Sequence, residues 1–378
     1  MVRICFCLLV LAVSLLSSPL VELKRTPDNG IQPQVAVDSS GVIHVLFFKG
    51  NPAAGDLFYC RSRDGETFSK PVRVNATPGS AVAIGNIRGG RIAVGPQGQV
   101  YVIWNGSQTA ASQNGGRTPL LFARLNRQGT AFEPDRNLIH FAYGLDGGSA
   151  ITTDASGRVY VFWHAPIPGK QGEPFRRVWM TRSEDGGKTF SVERIIFDQP
   201  TGACGCCSLD AGSNDKGDIF VLFRTAWQTV HRDMYLLESR DHGDHFAGSD
   251  IAKWDVSYCV MSSEAFARGV SGMYAAWEDE KRVQFGRVDD AGDRVTQVVT
   301  APGSLTQKYP ALAENRSGDV LLAWTEGMRW SRGGSLRWQV FNRSLKPIAA
   351  EAGSAAGVPA WSLVAAYARQ DGRFVILY

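Results

Sequence analysis

Short apolar runs alternate with polar turns along the chain, and one unit recurs. It is an alternating strand, a turn carrying glycine, and a second strand that ends in an aromatic residue. Copies read QVAVDSSGVIHVLFF (34–48), RIAVGPQGQVYVIW (91–104), SAITTDASGRVYVFW (149–163) and SLDAGSNDKGDIFVLF (208–223). Weaker copies follow at 269–277, 311–324 and 362–378. The turn glycines Gly41, Gly98, Gly157, Gly217, Gly272, Gly318 and Gly372 lie 46 to 60 residues apart. No apolar pattern of helical period competes with this alternation. Short, evenly spaced strands predict an all-β chain, and a repeat of roughly 50 residues predicts a β-propeller.

A second signature falls late in each unit. Residues 183–190 read SEDGGKTF, a complete S-x-D-x-G-x-T-[FW] box. Residues 62–68 carry the same pattern one residue short, and 239–246 carry His245 in place of Thr. Weaker remnants pair Gly129 with Phe132 and Asp290 with Gly292. An aspartate in such a turn accepts backbone N–H bonds, and glycine supplies the positive φ. Asp64, Asp185 and Asp241 are therefore expected to hold turns rather than to do chemistry.

In these boxes, set in phase with the repeat, residues 30–378 resemble the sialidase superfamily of Asp-box (BNR) propellers. The resemblance implies a sialidase-like β-propeller of six blades, each a four-stranded antiparallel sheet with an Asp-box turn. The seven copies counted here also allow seven blades, the last completed by Leu20–Arg25.

Residues 1–18 place Arg3 before an apolar stretch from Ile4 to Leu16 and then small residues, the layout of a secretory signal peptide. A retained anchor is the alternative. Residues 19–378 are then one propeller domain, exported to the periplasm or beyond. No other segment approaches 18 consecutive apolar residues, so no membrane span is expected after signal removal. With 40 Lys+Arg against 36 Asp+Glu and no basic cluster, nucleic acid is excluded as a partner class.

In a blade whose strands run in order from the channel outward, the boxes and the first hairpin turns share one face. The starts of inner strands and the ends of second strands line the other. That rim is rich in cations, among them Lys49, Arg88, Arg91, Arg224, Arg282 and Lys308, which suits an anionic ligand or an acidic glycan. Trp330, Trp338 and Trp361 offer faces for sugar rings.

The family resemblance assigns roles to single positions. Tyr309, in Lys308-Tyr309-Pro310, matches the nucleophile, and Asp56 the acid/base. Arg224 and Arg282 match two of the three arginines that grip the sugar carboxylate. The first arginine is replaced, since the chain reads Ile31-Gln32-Pro33-Gln34 there, and Gln32 brings no charge. The glutamate that should activate the tyrosine is missing from Ala203-Cys204-Gly205-Cys206-Cys207. Glu278 and Glu326, at ends of second strands, are the candidates to replace it.

Cys5 and Cys7 leave with the signal, and five cysteines remain. Cys204, Cys206 and Cys207 open one inner strand, Cys259 opens the next, and His164 ends a second strand in the preceding blade. Three readings are open: a disulfide from Cys259 to one of the trio, a zinc- or copper-type site of thiolates with His164, or unpaired thiols. No other cofactor is required. Two function classes follow: an exported glycan-active enzyme of sialidase type, or a non-catalytic propeller binding a glycan or protein through the same rim.

Overall fold

Each repeat folds into one sheet. The computed structural model describes residues 20–378. The signal peptide expected at 1–18, with Cys5 and Cys7, lies outside the described residues. These form seven sheets, six of four antiparallel strands and one of three. The blade count is thus seven, as the repeat count allowed, rather than the six that the family resemblance implied. The first blade runs Ile31–Val37, Ile43–Asn51, Ala54–Ser62 and Val72–Arg73. Inner strands of the next five are Arg91–Val94, Ser149–Thr153, Leu209–Ser213, Ala265–Gly269 and Gln307–Glu314.

The seventh blade closes the ring. Its strands Ala365–Ala368 and Phe374–Leu377 are joined by Val21–Lys24, which pairs in parallel with the second of them. Tyr378 N donates to the Lys24 carbonyl at 3.1 Å, and Thr26 N to the Tyr378 carbonyl at 3.0 Å. A strand from near one end of the chain thereby completes the blade built by the other.

Blades adhere through the aromatic residues that end the second strands. Trp104, Trp163, Trp277 and Trp324 are fully buried, and each packs against apolar residues of the preceding blade. An indole of this size removes roughly 200 Å² from water, on the order of 5 kcal/mol of favourable transfer.

The three best boxes form the turns expected of them. Asp185 accepts from Ser183 Oγ at 2.8 Å, from the amides of Lys188 and Thr189 at 3.0 and 2.9 Å, and from Thr189 Oγ1 at 2.7 Å. In the third box His245 replaces that hydroxyl, with Nδ1 2.7 Å from Asp241 Oδ2. Gly187 has φ +77°, and a Cβ there would lie 2.9 Å from Phe122 of the neighbouring blade. Phe190 closes the turn edge-on against the same Phe122, ring centroids 4.9 Å apart.

Amide hydrogen bonds to the carboxylate hold Asp64 at about 2, and hold Asp185 and Asp241 lower still. A carboxyl depressed in the folded state stabilises the protein above the ordinary carboxylate range, and that stability is lost as pH falls through the folded value. Asp185→Asn is therefore expected to lower Tm by a few degrees at pH 7. It also flattens the fall in Tm between about pH 4 and pH 2. Thermal scans across that range check both.

Candidate functional site

The inner strands run in the same direction around the ring, so their starts converge on one mouth of the central channel. The boxes lie at the opposite face. All seven blades contribute to a cavity of about 200 Å³ at this mouth. Its polar wall consists of Gln34, Arg91, Asp210, Ser263, Glu264 and Tyr309. Among the described residues, Arg91 forms no ion pair. It donates to Ser208 Oγ at 2.6 Å and to Gln34 Oε1 at 3.2 Å, which aims its guanidinium across the channel.

Asp210 and Glu264 come from consecutive blades. Glu264 is 2% exposed, and its Oε2 has no hydrogen-bond partner. Its Oε1 accepts from Ser262 Oγ at a long 3.4 Å. Burial pushes this carboxyl well above its usual range, helped by negative charge at Cys207 and Asp210, against Arg224 and Arg91. Asp210 is also raised by burial, with Arg91 opposing, and its Oδ2 accepts from the Phe266 amide at 2.8 Å. The two carboxyls thus share a cavity but are raised unequally, the usual basis for dividing acid and base roles.

Tyr309 stands between this cavity and an outer pocket of about 360 Å³, which Lys308, Glu278, Cys259, Tyr258 and Trp330 also line. Its backbone is left-handed, φ +53°, at a bulge in the strand, a strained conformation for a residue with a side chain. Burial, then the negative charges of Glu278 and Cys207, drive its phenol upward, so the neutral form is favoured. Neither replacement glutamate hydrogen-bonds to it. Glu278 accepts from Lys308 Nζ at 2.9 Å, and Glu326 accepts from Trp324 Nε1 at 3.0 Å.

The remaining residues proposed from sequence do not converge here. Arg224 is 2% exposed and lies beneath the mouth. It donates to Ser262 Oγ at 3.0 Å, to the Arg232 carbonyl at 2.7 Å and to the Glu278 carbonyl, and it stacks over Trp254. Arg282 donates to Gln307 Oε1 at 3.3 Å and to the Ala301 carbonyl. Gln32 ties three blades, its Nε2 donating to the carbonyls of Ala83 at 2.6 Å and Trp361 at 2.7 Å. Lys49 pairs with Asp28 at 3.1 Å. Asp56 accepts from Asn75 Nδ2 at 2.7 Å and from the Gly79 amide at 2.8 Å. None of these five lines the channel cavity.

Of the three cysteine readings, the structure contains the disulfide, between Cys206 and Cys259 with Cα atoms 6.6 Å apart. Cys204 and Cys207 are buried free thiols beside it, and Cys60 is buried in the first blade. The sulfurs of Cys204, Cys206 and Cys207 lie within 4.8 Å of one another, close enough to hold a metal were Cys206 reduced. His164 does not complete such a set. Its Nδ1 accepts from Arg176 Nε at 3.1 Å, so Nε2 carries the proton and donates to the Cys207 carbonyl at 2.9 Å. Burial and Arg176 push this imidazole down to about 3. Gly147 permits the contact, since a Cβ there would sit 1.9 Å from the Cys207 carbonyl oxygen.

No protein-family model and no curated protein matches this chain in sequence. Its fold is shared with many solved structures. An α-L-arabinanase of Penicillium chrysogenum, solved with arabinobiose, matches with TM-score 0.55 and 12% identity over 84% of this chain and 95% of that one. A Dyadobacter fermentans protein of unknown function matches with TM-score 0.52 and 15% identity, covering 79% and 90% of the two chains. The Hadza microbial sialidase Hz136 matches with TM-score 0.51 and 13% identity over 89% and 75%. At these identities the likeness is one of fold. The described residues contain no helix long and apolar enough to cross a membrane.

Proposed function

We propose that the protein is an exported, glycan-active propeller, a glycoside hydrolase by class, whose site is the channel mouth. Residues 19–378 form its mature chain, and its ligand is an acidic sugar. The observation that carries this reading is the pairing of Glu264 and Asp210 in one cavity with Arg91, with a Glu264 oxygen free of protein partners. Glu264, raised further, is the general acid that protonates the departing glycosidic oxygen. Asp210 is the carboxylate that acts on or through the other side of the anomeric carbon. Arg91 pairs with the sugar's acidic group through its guanidinium fork. Tyr309, held neutral, is a wall and hydrogen-bond donor, and Trp330 offers an outer stacking face. The solved arabinanase and sialidase of the same fold support a glycan as the ligand, without choosing between neutral and acidic sugars.

This arrangement departs from sialidase chemistry, where the tyrosine attacks. Fluorogenic glycosides of uronic and sialic acids, with neutral arabinosides as the contrast, test both. Turnover that falls less than about tenfold in Tyr309→Phe supports the carboxyl pair, whereas loss of the 10²–10⁴-fold expected for a removed catalytic group returns the role to Tyr309. Arg91→Ala is expected to raise KM for an acidic substrate roughly 10- to 100-fold and to leave neutral substrates unchanged. No turnover of any glycoside, with saturable binding of the acidic sugars, would instead make the protein a glycan-binding propeller.

A further inference from the structure

The glycan reading leaves the sulfur cluster unused, yet its geometry is specific. Cys259 is exposed on the wall of the outer pocket, and its partner Cys206 is half-buried. Behind this bridge Cys204 Sγ lies 3.6 Å from Cys206 Sγ, which is van der Waals contact between sulfurs. Cys204 and Cys207 are spaced C-x-x-C, and their sulfurs lie within 4.8 Å of each other. A bridge serving stability alone needs no second thiol pair touching it.

The two buried thiols are also unequal. Burial acts to raise Cys207, but the Cys204 side chain beside it, the Arg224 charge and Ser262 outweigh it and hold the thiol at about 7. Ser262 Oγ lies 3.7 Å from its sulfur. Cys204 is pushed well above its usual value by the Cys207 side chain beside it, then by burial. Cys204 is thus the sulfur in contact with the bridge, and Cys207 beside it is the group placed to take its proton as it attacks as the thiolate.

We propose that Cys204, Cys206, Cys207 and Cys259 form a two-electron thiol relay between the protein interior and the rim. Cys204 attacks Cys206 Sγ as its proton passes to Cys207. The Cys206–Cys259 bond breaks, and Cys259 leaves as the thiolate. Cys207, giving up the proton, then attacks Cys204 Sγ and displaces Cys206. A Cys204–Cys207 disulfide is left inside and the reduced Cys206/Cys259 pair outside, sharing the one transferred proton as thiol and thiolate, with no net oxidation. The exposed dithiol reduces an external disulfide. Cys259 forms the mixed disulfide and expels one thiol, and Cys206 resolves it and expels the second. The chain then holds two disulfides, and an external dithiol restores the starting state. The partner class is a small or protein-borne disulfide and dithiol couple. The relay does not depend on the glycan reading.

The test uses the full chain purified without reductant, quenched in acid, differentially alkylated and mapped by mass spectrometry. The expected result is two bridged isomers, Cys206–Cys259 and Cys204–Cys207, that interconvert faster as pH rises through 7. Oxidised glutathione is expected to add at Cys259 in the wild type and about tenfold more slowly in Cys204→Ser. The wild-type map decides independently of whether that variant folds. A single Cys206–Cys259 bridge at every pH, with Cys204 and Cys207 alkylated only after denaturation, overturns the relay. So does one equivalent of zinc or copper retained by these sulfurs through purification.

Discussion

Glu264→Gln is expected to lower kcat on an acidic glycoside by about 10²–10⁴-fold while leaving KM within a factor of a few. Glutamine keeps the shape and the contact with Ser262 but has no proton to give a departing oxygen. The pH dependence separates this from a packing effect. Because burial raises Glu264, it stays protonated above the ordinary carboxylate range, so wild-type activity should persist upward in pH and fall only as this group ionises. The variant's residual activity should lack that limb. Stability moves the other way. A carboxyl raised in the folded state stabilises fully below its unfolded value and loses that contribution as pH rises through the folded value. Glu264→Gln should therefore flatten the loss of Tm on going from acid to neutral pH. Kinetics and thermal scans over the same buffers read both. A kcat unchanged by the substitution would remove Glu264 from catalysis.

Arg224→Leu is expected to destabilise the protein by about 3–5 kcal/mol, with little effect on KM if the variant is assayed while folded. The guanidinium donates to two backbone carbonyls and one serine hydroxyl, all buried, and covers Trp254. Removal strands those acceptors, each costing roughly 1–3 kcal/mol when left dry. Lysine should rescue little, since a single ammonium cannot span three acceptors set out for a planar fork. Urea denaturation gives the stability, and the same assay used for Arg91→Ala gives the KM. A large KM rise at unchanged stability would restore Arg224 to the ligand. The contrast between these arginines is spatial: Arg91 faces the cavity, whereas Arg224 spends its donors beneath it.

The disagreements at the site have a common cause. Family likeness places a residue by its position along a blade, but a propeller strand turns alternate side chains toward the preceding and the following blade, and only residues near the inner-strand starts line the channel cavity. A polar residue at such a position can therefore tie blades together, as Gln32 and Arg224 do. The proposed pair, Asp210 and Glu264, is not singled out by the sequence because a lone acid in an alternating strand looks like an ordinary solvent-facing residue. One signal was present: Ser208-Leu209-Asp210 and Ser262-Ser263-Glu264 repeat Ser-x-acid around consecutive inner strands.

By itself, the order of residues determined the repeat, the all-β class, seven candidate strand pairs and the box turns. These are local properties, carried by alternation, glycine turns and aromatic strand ends within a few dozen residues. Only the tertiary structure decided that Arg91, Asp210, Glu264 and Tyr309, spread over more than half the chain, meet in one cavity, and that Cys206 rather than its neighbours bonds Cys259. Ring closure sets those meetings, because the angle between blades and the register of each inner strand fix which side chain faces the channel, and neither is written in any single repeat.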